Sequence, residues 1–420
     1  MPPTSPFRRR LLAALVALAT AGCSTHIHYR IQNMPTPGAP RFLSTVASLT
    51  NSLSTRGQAV GVWGEPAAIY QARLAAIARA EKTIHFETFF MTPGARADAF
   101  AAALVAAAAR GVKVRCLPDF DGTRSLGREY WKRLIDAGVE VRFYHPFDWF
   151  HPFLYNTRTH RKLLLIDGTY GMTGGTGVSD HWDGLVDQGP TAPWSDLEVA
   201  FTGPVVTVFE GIFAQHWTYV GGAADLGPAV FRQAEEAGAP VLVTPGSPTD
   251  GDSPVRALYH TSLLAARERI WIASPYFLPD RNARDALLAA HRRGVDVRIL
   301  GVGPKNDKNA IYRACRELYG ELVAAGVPIY EYQPAMMHAK VLLIDDDWVV
   351  TGSANFDPRS FFHNDELVVS TRDPALAREL TRIMTGWLAE SDRVTHEAWQ
   401  ARPAIEQAEG QAALLLWWQL

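Results

Sequence analysis

The sequence predicts an α/β fold built of two repeated α-β-α sandwich halves, with mostly parallel sheets, related by a pseudo-twofold axis. Three observations lead there. Arg110–Leu117 (RGVKVRCL) returns as RGVDVRIL at Arg293–Leu300, and self-similarity at long range marks duplicated units. LIDAGVEVRFY from Leu134 has its counterpart in LVAAGVPIYEY from Leu322, and Thr159–Asp167 (THRKLLLID) matches Met337–Asp345 (MHAKVLLID), so the landmarks keep their order. In both copies, Ala/Leu-rich stretches with helical spacing alternate with short β-branched runs, the pattern of a layered sheet connected by helices.

Taken from the N-terminus, residues 1–23 read as an export signal. Arg8, Arg9 and Arg10 precede a short apolar run, Leu11–Ala21, too short to span a bilayer. Thr20–Cys23 resembles a bacterial lipobox, in which Cys23 is lipidated, and Ser24 after it points by that resemblance to the outer membrane. The expected location is therefore the bacterial cell envelope, lipid-anchored and facing the periplasm. Residues 24–60 read as an N-terminal linker. The first half, 61–220, contains a helix at Phe100–Arg110 and a strand at Val112–Leu117. Pro, Gly, Asp and Ser then cluster in a linker at 221–253. The second half, 254–395, repeats the helix at Ala283–Arg293 and the strand at Val295–Leu300, and 396–420 form a C-terminal tail. Cys116 and Cys315, one per half, read as buried thiols.

The chain has 420 residues, 47% apolar and 20% charged, enough for two cores. Lys and Arg number 41 against 43 Asp and Glu, a formal net charge of -2. That balance provides no global attraction to nucleic acid. The copies differ in one interval: 22 residues separate Gly138 from His160, but 12 separate Gly326 from His338. The extra segment, HPFDWFHPFLYNTR from His145, reads as an aromatic loop near the mouth of the site, able to cover it or touch lipid.

The repeated HxKxxxxD pattern carries the chemistry. Residues two apart on a strand face the same side, so His160 projects with Lys162, and His338 with Lys340. Asp167 and Asp345 have the opposite parity and look like structural supports. A phosphodiester needs a nucleophile, an acid for the leaving alkoxide, and positive charge on its oxygens. Two imidazoles and two ammoniums supply these, since a ring with a pKa of about 6.5 serves as nucleophile or acid. Asn355, with Thr176 and Ser353 in the glycine-containing turns, would contact the phosphate. Asp196 and Glu366, downstream of each motif, are the carboxylates expected to orient the imidazoles, with Glu198 in reserve. No metal or other cofactor is expected.

These residues resemble the phospholipase D superfamily: His160, Lys162 and Asp167 with the pair at Gly174, and His338, Lys340 and Asp345 with GSxN at Gly352–Asn355. The similarity spans roughly residues 60–395. WSDLEVAFTGPVV, SANFDPRSFFHNDELVV and ASPYFLPD are most similar to bacterial cardiolipin synthases and their phosphatidyltransferase relatives. The resemblance implies a phospholipase D-like fold, one site shared by both halves, His160 as covalent nucleophile and His338 as acid, then base. Gly177 departs from it, standing where the pattern has Asn. The implied function is a phosphatidyltransferase working through phosphohistidine on a phospholipid at a membrane surface, as monomer or oligomer. A phospholipase D-type hydrolase, or a nuclease, would use the same motif.

Overall fold

In the computed structural model, which describes residues 31–185, 191–232, 237–249 and 251–420, the β-branched runs form short strands joined by helices. The first half provides β1 (Leu53–Trp63), β2 (Thr83–Thr88), β3 (Lys113–Pro118), β4 (Glu140–Val141), β5 (Arg158–Thr159), β6 (Leu163–Ile166), β7 (Tyr170–Gly174) and β8 (Glu198–Thr202). The second provides β9 (Ala239–Gly246), β10 (Arg269–Ala273), β11 (Asp296–Val302), β12 (Ile329–Tyr332), β13 (Val341–Ile344), β14 (Trp348–Gly352), β15 (Asn364–Arg372) and β16 (Ser391–Arg393). The helices Ala95–Ala109 and Arg281–Arg292 connect equivalent strands, β2 to β3 and β10 to β11.

All these strands hydrogen-bond into one sheet, ordered β4-β3-β2-β6-β7-β8-β1-β9-β15-β14-β13-β10-β11-β12-β16, with β5 pairing β15 off this path. The two halves meet where β1 and β9 run antiparallel, Leu53 opposite Val243 and Gly57 opposite Ala239. Both therefore lie within one compact unit, residues 34–420.

Two expectations change here. The sheet is mixed rather than mostly parallel: β2, β3 and β4 run parallel, as do β10, β11 and β12, but β6, β7, β8 and β1 are antiparallel neighbours. The cause is local. After β6, Asp167 and Gly168 take φ values of 54° and 62°, a left-handed pair that folds the chain straight back into β7. The segments read as linkers also hold structure, since 24–60 contains the helix Phe42–Thr50 and most of β1, and 221–253 contains β9. β1 and β9 are interior strands that fuse the halves.

Helices cover the sheet, so motif strands such as Leu163–Ile166 and Val341–Ile344 are buried along their whole length. Cys116 and Cys315 are free and buried. Residues 145–157 form the irregular loop expected, with one 3₁₀ turn at Pro152–Asn156.

Candidate active site

β6 and β13 begin directly after Lys162 and Lys340, which places each His/Lys pair at one strand end and each motif aspartate at the other. Asp167 accepts backbone N–H bonds from Glu81 (3.0 Å), Lys82 (2.7 Å) and Thr83 (2.8 Å). Asp345 likewise accepts from Arg267, Glu268 and Arg269 at 3.0, 2.8 and 3.1 Å. The aspartates thus pin the starts of β2 and β10. Neither touches an imidazole.

The histidine–carboxylate pairs cross between halves. Nδ1 of His160 lies 3.0 Å from Oε1 of Glu366, and Nδ1 of His338 lies 2.8 Å from Oδ2 of Asp196. Sequence order had set each carboxylate downstream of the motif in its own copy; the fold exchanges them. Matching backbone contacts impose the exchange: Thr159 pairs in parallel with Asp365, and Met337 with Ser195. The next residue's N–H then donates across the halves, His160 to the Asp365 carbonyl (2.8 Å) and His338 to the Ser195 carbonyl (2.6 Å).

Burial alone would raise both carboxylates. His338 and Lys340 nevertheless hold Asp196 below its ordinary range, and His160 and Lys162 do the same for Glu366. As ionised acceptors they fix each imidazole proton on Nδ1, leaving Nε2 as the unprotonated nitrogen of each ring. Burial pushes His160 and His338 down to about 4, and Lys162 and Lys340 together add to the depression at each ring. Burial also lowers Lys162 to about 7 and Lys340 to about 8. Four titratable groups from both halves therefore share one electrostatic environment, poised to accept a phosphodiester anion.

The lysines are held by backbone. Lys162 Nζ donates to the His160 carbonyl at 2.7 Å. Lys340 Nζ donates to the His338 carbonyl and sits 3.1 and 3.2 Å from that ring's nitrogens. Asn355 Nδ2 donates to Asp357 (3.0 Å), while its buried Oδ1 has no protein partner. Thr176 Oγ1 is likewise buried without one. Ser353 corrects an expectation: its hydroxyl donates to Glu366 and accepts the Leu367 N–H at 2.9 Å. It supports the carboxylate instead of offering itself to phosphate. Glu198, the reserve orienting residue, is instead gripped by Arg73 through bonds of 2.7 and 2.6 Å.

Sequence reasoning missed Trp182. Its indole Nε1 donates to the same Asp196 oxygen that serves His338, at 2.8 Å, and its ring stands edge-on to that imidazole at 5.3 Å. Trp182 also explains Gly177. A Cβ there would lie 2.5 Å from the Phe90 carbonyl and 2.9 Å from the Trp182 ring, so the room an Asn would need is already filled. Gly175 is constrained similarly, since a Cβ would collide with the Asp196 carboxylate. Arg73 and Tyr70 were missed too; both hydrogen-bond the Gly177 carbonyl, at 2.9 and 3.2 Å. None of the three lies in a repeated segment, so no echo flagged them. Cys23 lies outside the described residues. Among the described residues, no three His, Cys, Asp or Glu side chains gather as metal ligands.

Comparisons with known proteins identify the family of the chain. Residues 74–181 and 259–387 match the family described as cardiolipin synthase, PLD-like domain. Cardiolipin synthase A of Pseudomonas fluorescens SBW25 is 34% identical over 352 residues, covering 83% of this chain and 72% of that protein. Cardiolipin synthase A of Pseudomonas aeruginosa LESB58 is 33% identical over 351 residues, 83% of this chain and 71% of its own length. Among solved structures, phosphatidylserine synthase of Haemophilus influenzae Rd KW20 has a similar fold, with a TM-score of 0.67 at 13% identity over 90% of this chain and 99% of that one.

Proposed function

The chain belongs to the phospholipase D superfamily as a cardiolipin synthase-like phosphatidyltransferase, and from that premise we propose that it transfers a phosphatidyl group through a covalent phosphohistidine on His160. The observation carrying this reading is the exchanged pairing of His160 with Glu366 and His338 with Asp196. It leaves two unprotonated Nε2 nitrogens and two buried lysines for one phosphorus.

In the first step, His160 Nε2 attacks phosphorus as the phosphoester bond to the leaving alcohol breaks, and His338 protonates the departing alkoxide. Lys340, against the His338 ring, stores the proton that His338 delivers. Lys162 neutralises charge on the phosphoryl oxygens. In the second step, His338 removes the proton from an acceptor hydroxyl, its oxygen bonds to phosphorus, and the N–P bond breaks. Phosphatidylglycerol serves as donor and acceptor, so the products are cardiolipin and glycerol.

The test is to incubate purified protein with phosphatidylglycerol, with and without EDTA, and resolve the lipids by mass spectrometry. Cardiolipin with glycerol in both samples supports the proposal. Phosphatidic acid as the product would reassign the chain to hydrolysis. The envelope location belongs to the same reading: Cys23 carries the lipid anchor, so Cys23→Ser should abolish incorporation of labelled palmitate, and persistent incorporation would refute the anchor.

A further inference from the structure

Large apolar side chains gather at the surface where the inserted loop leads into His160. Trp149 and Phe150 are 85% and 89% exposed, with Phe147 and Leu154 partly so. Single exposed apolar residues are ordinary, but a cluster marks an interaction surface. The loop is tethered at its base. His145 bonds the Thr157 carbonyl (2.7 Å) and the Tyr219 hydroxyl (2.9 Å) through its two ring nitrogens, and Tyr155 donates to Asp121 at 2.6 Å. Trp149 and Phe150 are thus presented on a fixed support.

The C-terminal tail joins this surface. Leu415, Leu416 and Trp418 are exposed. Asn156 of the loop donates to Gln419 at 3.1 Å, and Arg359 bridges the two, donating its backbone N–H to the Leu420 carbonyl and its guanidinium to the Asn156 carbonyl, both at 2.9 Å. Asp121, which the loop's Tyr155 holds, also ion-pairs with Arg124 (3.4 Å), which lines a groove of about 540 Å³. Phe120, Trp131 and Phe143 give that groove an apolar wall, and Arg124, Arg128 and Lys132 edge it, with Lys132 ion-paired to Asp136 at the exposed rim.

We propose that the inserted loop, the basic-edged groove and the C-terminal tail form one docking face for a bilayer of anionic phospholipid, placing the site mouth at the lipid surface. Amphipathic aromatics settle at the level of the headgroups while arginine and lysine meet lipid phosphates. The cationic edge fits an anionic partner, and the apolar wall fits acyl chains rather than a water-exposed polymer. This deepens the phosphatidyltransferase reading and rests on it.

The test uses the full chain carrying Cys23→Ser, so that no covalent lipid contributes, and measures its sedimentation with phosphatidylglycerol/phosphatidylcholine vesicles and with pure phosphatidylcholine vesicles. Joint Trp149→Ser and Phe150→Ser should weaken vesicle binding by about tenfold or more. Joint Arg124→Gln and Lys132→Gln should remove the preference for anionic vesicles. Both variants should still turn over monomeric dihexanoyl phosphatidylglycerol, which needs no bilayer. Undiminished vesicle binding by the Trp149/Phe150 variant, or tighter binding of a single-stranded oligonucleotide than of vesicles, would overturn the docking face. Failure of the unaltered protein to convert the dihexanoyl lipid would overturn the lipid-transfer reading instead, whatever the vesicles show.

Discussion

His160, in the first half of the chain, directs its Nδ1 at Glu366 in the second, 3.0 Å away. The mirror contact joins His338 to Asp196 at 2.8 Å. Neither motif histidine finds its carboxylate in its own half, so the duplication yields one site rather than two.

Glu366→Gln and Asp196→Asn should each lower kcat on the order of 100-fold with KM little changed, because an amide no longer fixes the Nδ1–H tautomer or favours the imidazolium. Steady-state kinetics on phosphatidylglycerol check this. An effect confined to KM would mean the carboxylates bind substrate instead.

The site chemistry was largely legible in the sequence, and its wiring was not. His160, Lys162, His338 and Lys340 declare themselves because strand parity and duplication act locally. The exchange of carboxylates depends on Thr159 meeting Asp365 and Met337 meeting Ser195, long-range pairings that no local pattern encodes. The mixed sheet was half visible: Asp167-Gly168 between two apolar runs is a hairpin signal, and weighing it would have turned β7 antiparallel. Trp182 gave no sign, since its role arises only from the space left by Gly177.

Asp167→Ala and Asp345→Ala should act on stability. Each removes a carboxylate that accepts backbone N–H bonds at a strand start, costing about 1–3 kcal/mol. Thermal denaturation should show a lowered Tm, while turnover per folded molecule stays within a few-fold of the parent. Loss of turnover at unchanged Tm would restore a direct catalytic part for the aspartates.

Trp182→Phe should keep the ring and lose the donor to Asp196. A roughly tenfold fall in kcat is expected, with the pH profile displaced because His338 is less firmly paired. Gly177→Asn should lower Tm, since its side chain meets the Phe90 carbonyl and the Trp182 ring. A Gly177→Asn protein as stable as its parent would contradict the packing described.

The pH dependence follows from the buried groups. His160 attacks only when neutral, so kcat/KM should rise as pH climbs through about 4. The lysines assist only when protonated, so it should fall as pH passes about 7 and then about 8. A flat kcat/KM between pH 6 and pH 9, ordinary for lysines with an unperturbed pKa of about 10.4, would show that these ammoniums are not depressed.

The most direct measurement uses the phosphatidyl ester of p-nitrophenol, a leaving group that departs without an acid, labelled at phosphorus and mixed with the His338→Ala protein. Label should accumulate on His160, acid-labile and alkali-stable as a phosphohistidine is, and should vanish in the His160→Ala, His338→Ala double variant. Label on another residue, or undiminished phosphatidylglycerol turnover by His160→Ala alone, would contradict the shared two-histidine site.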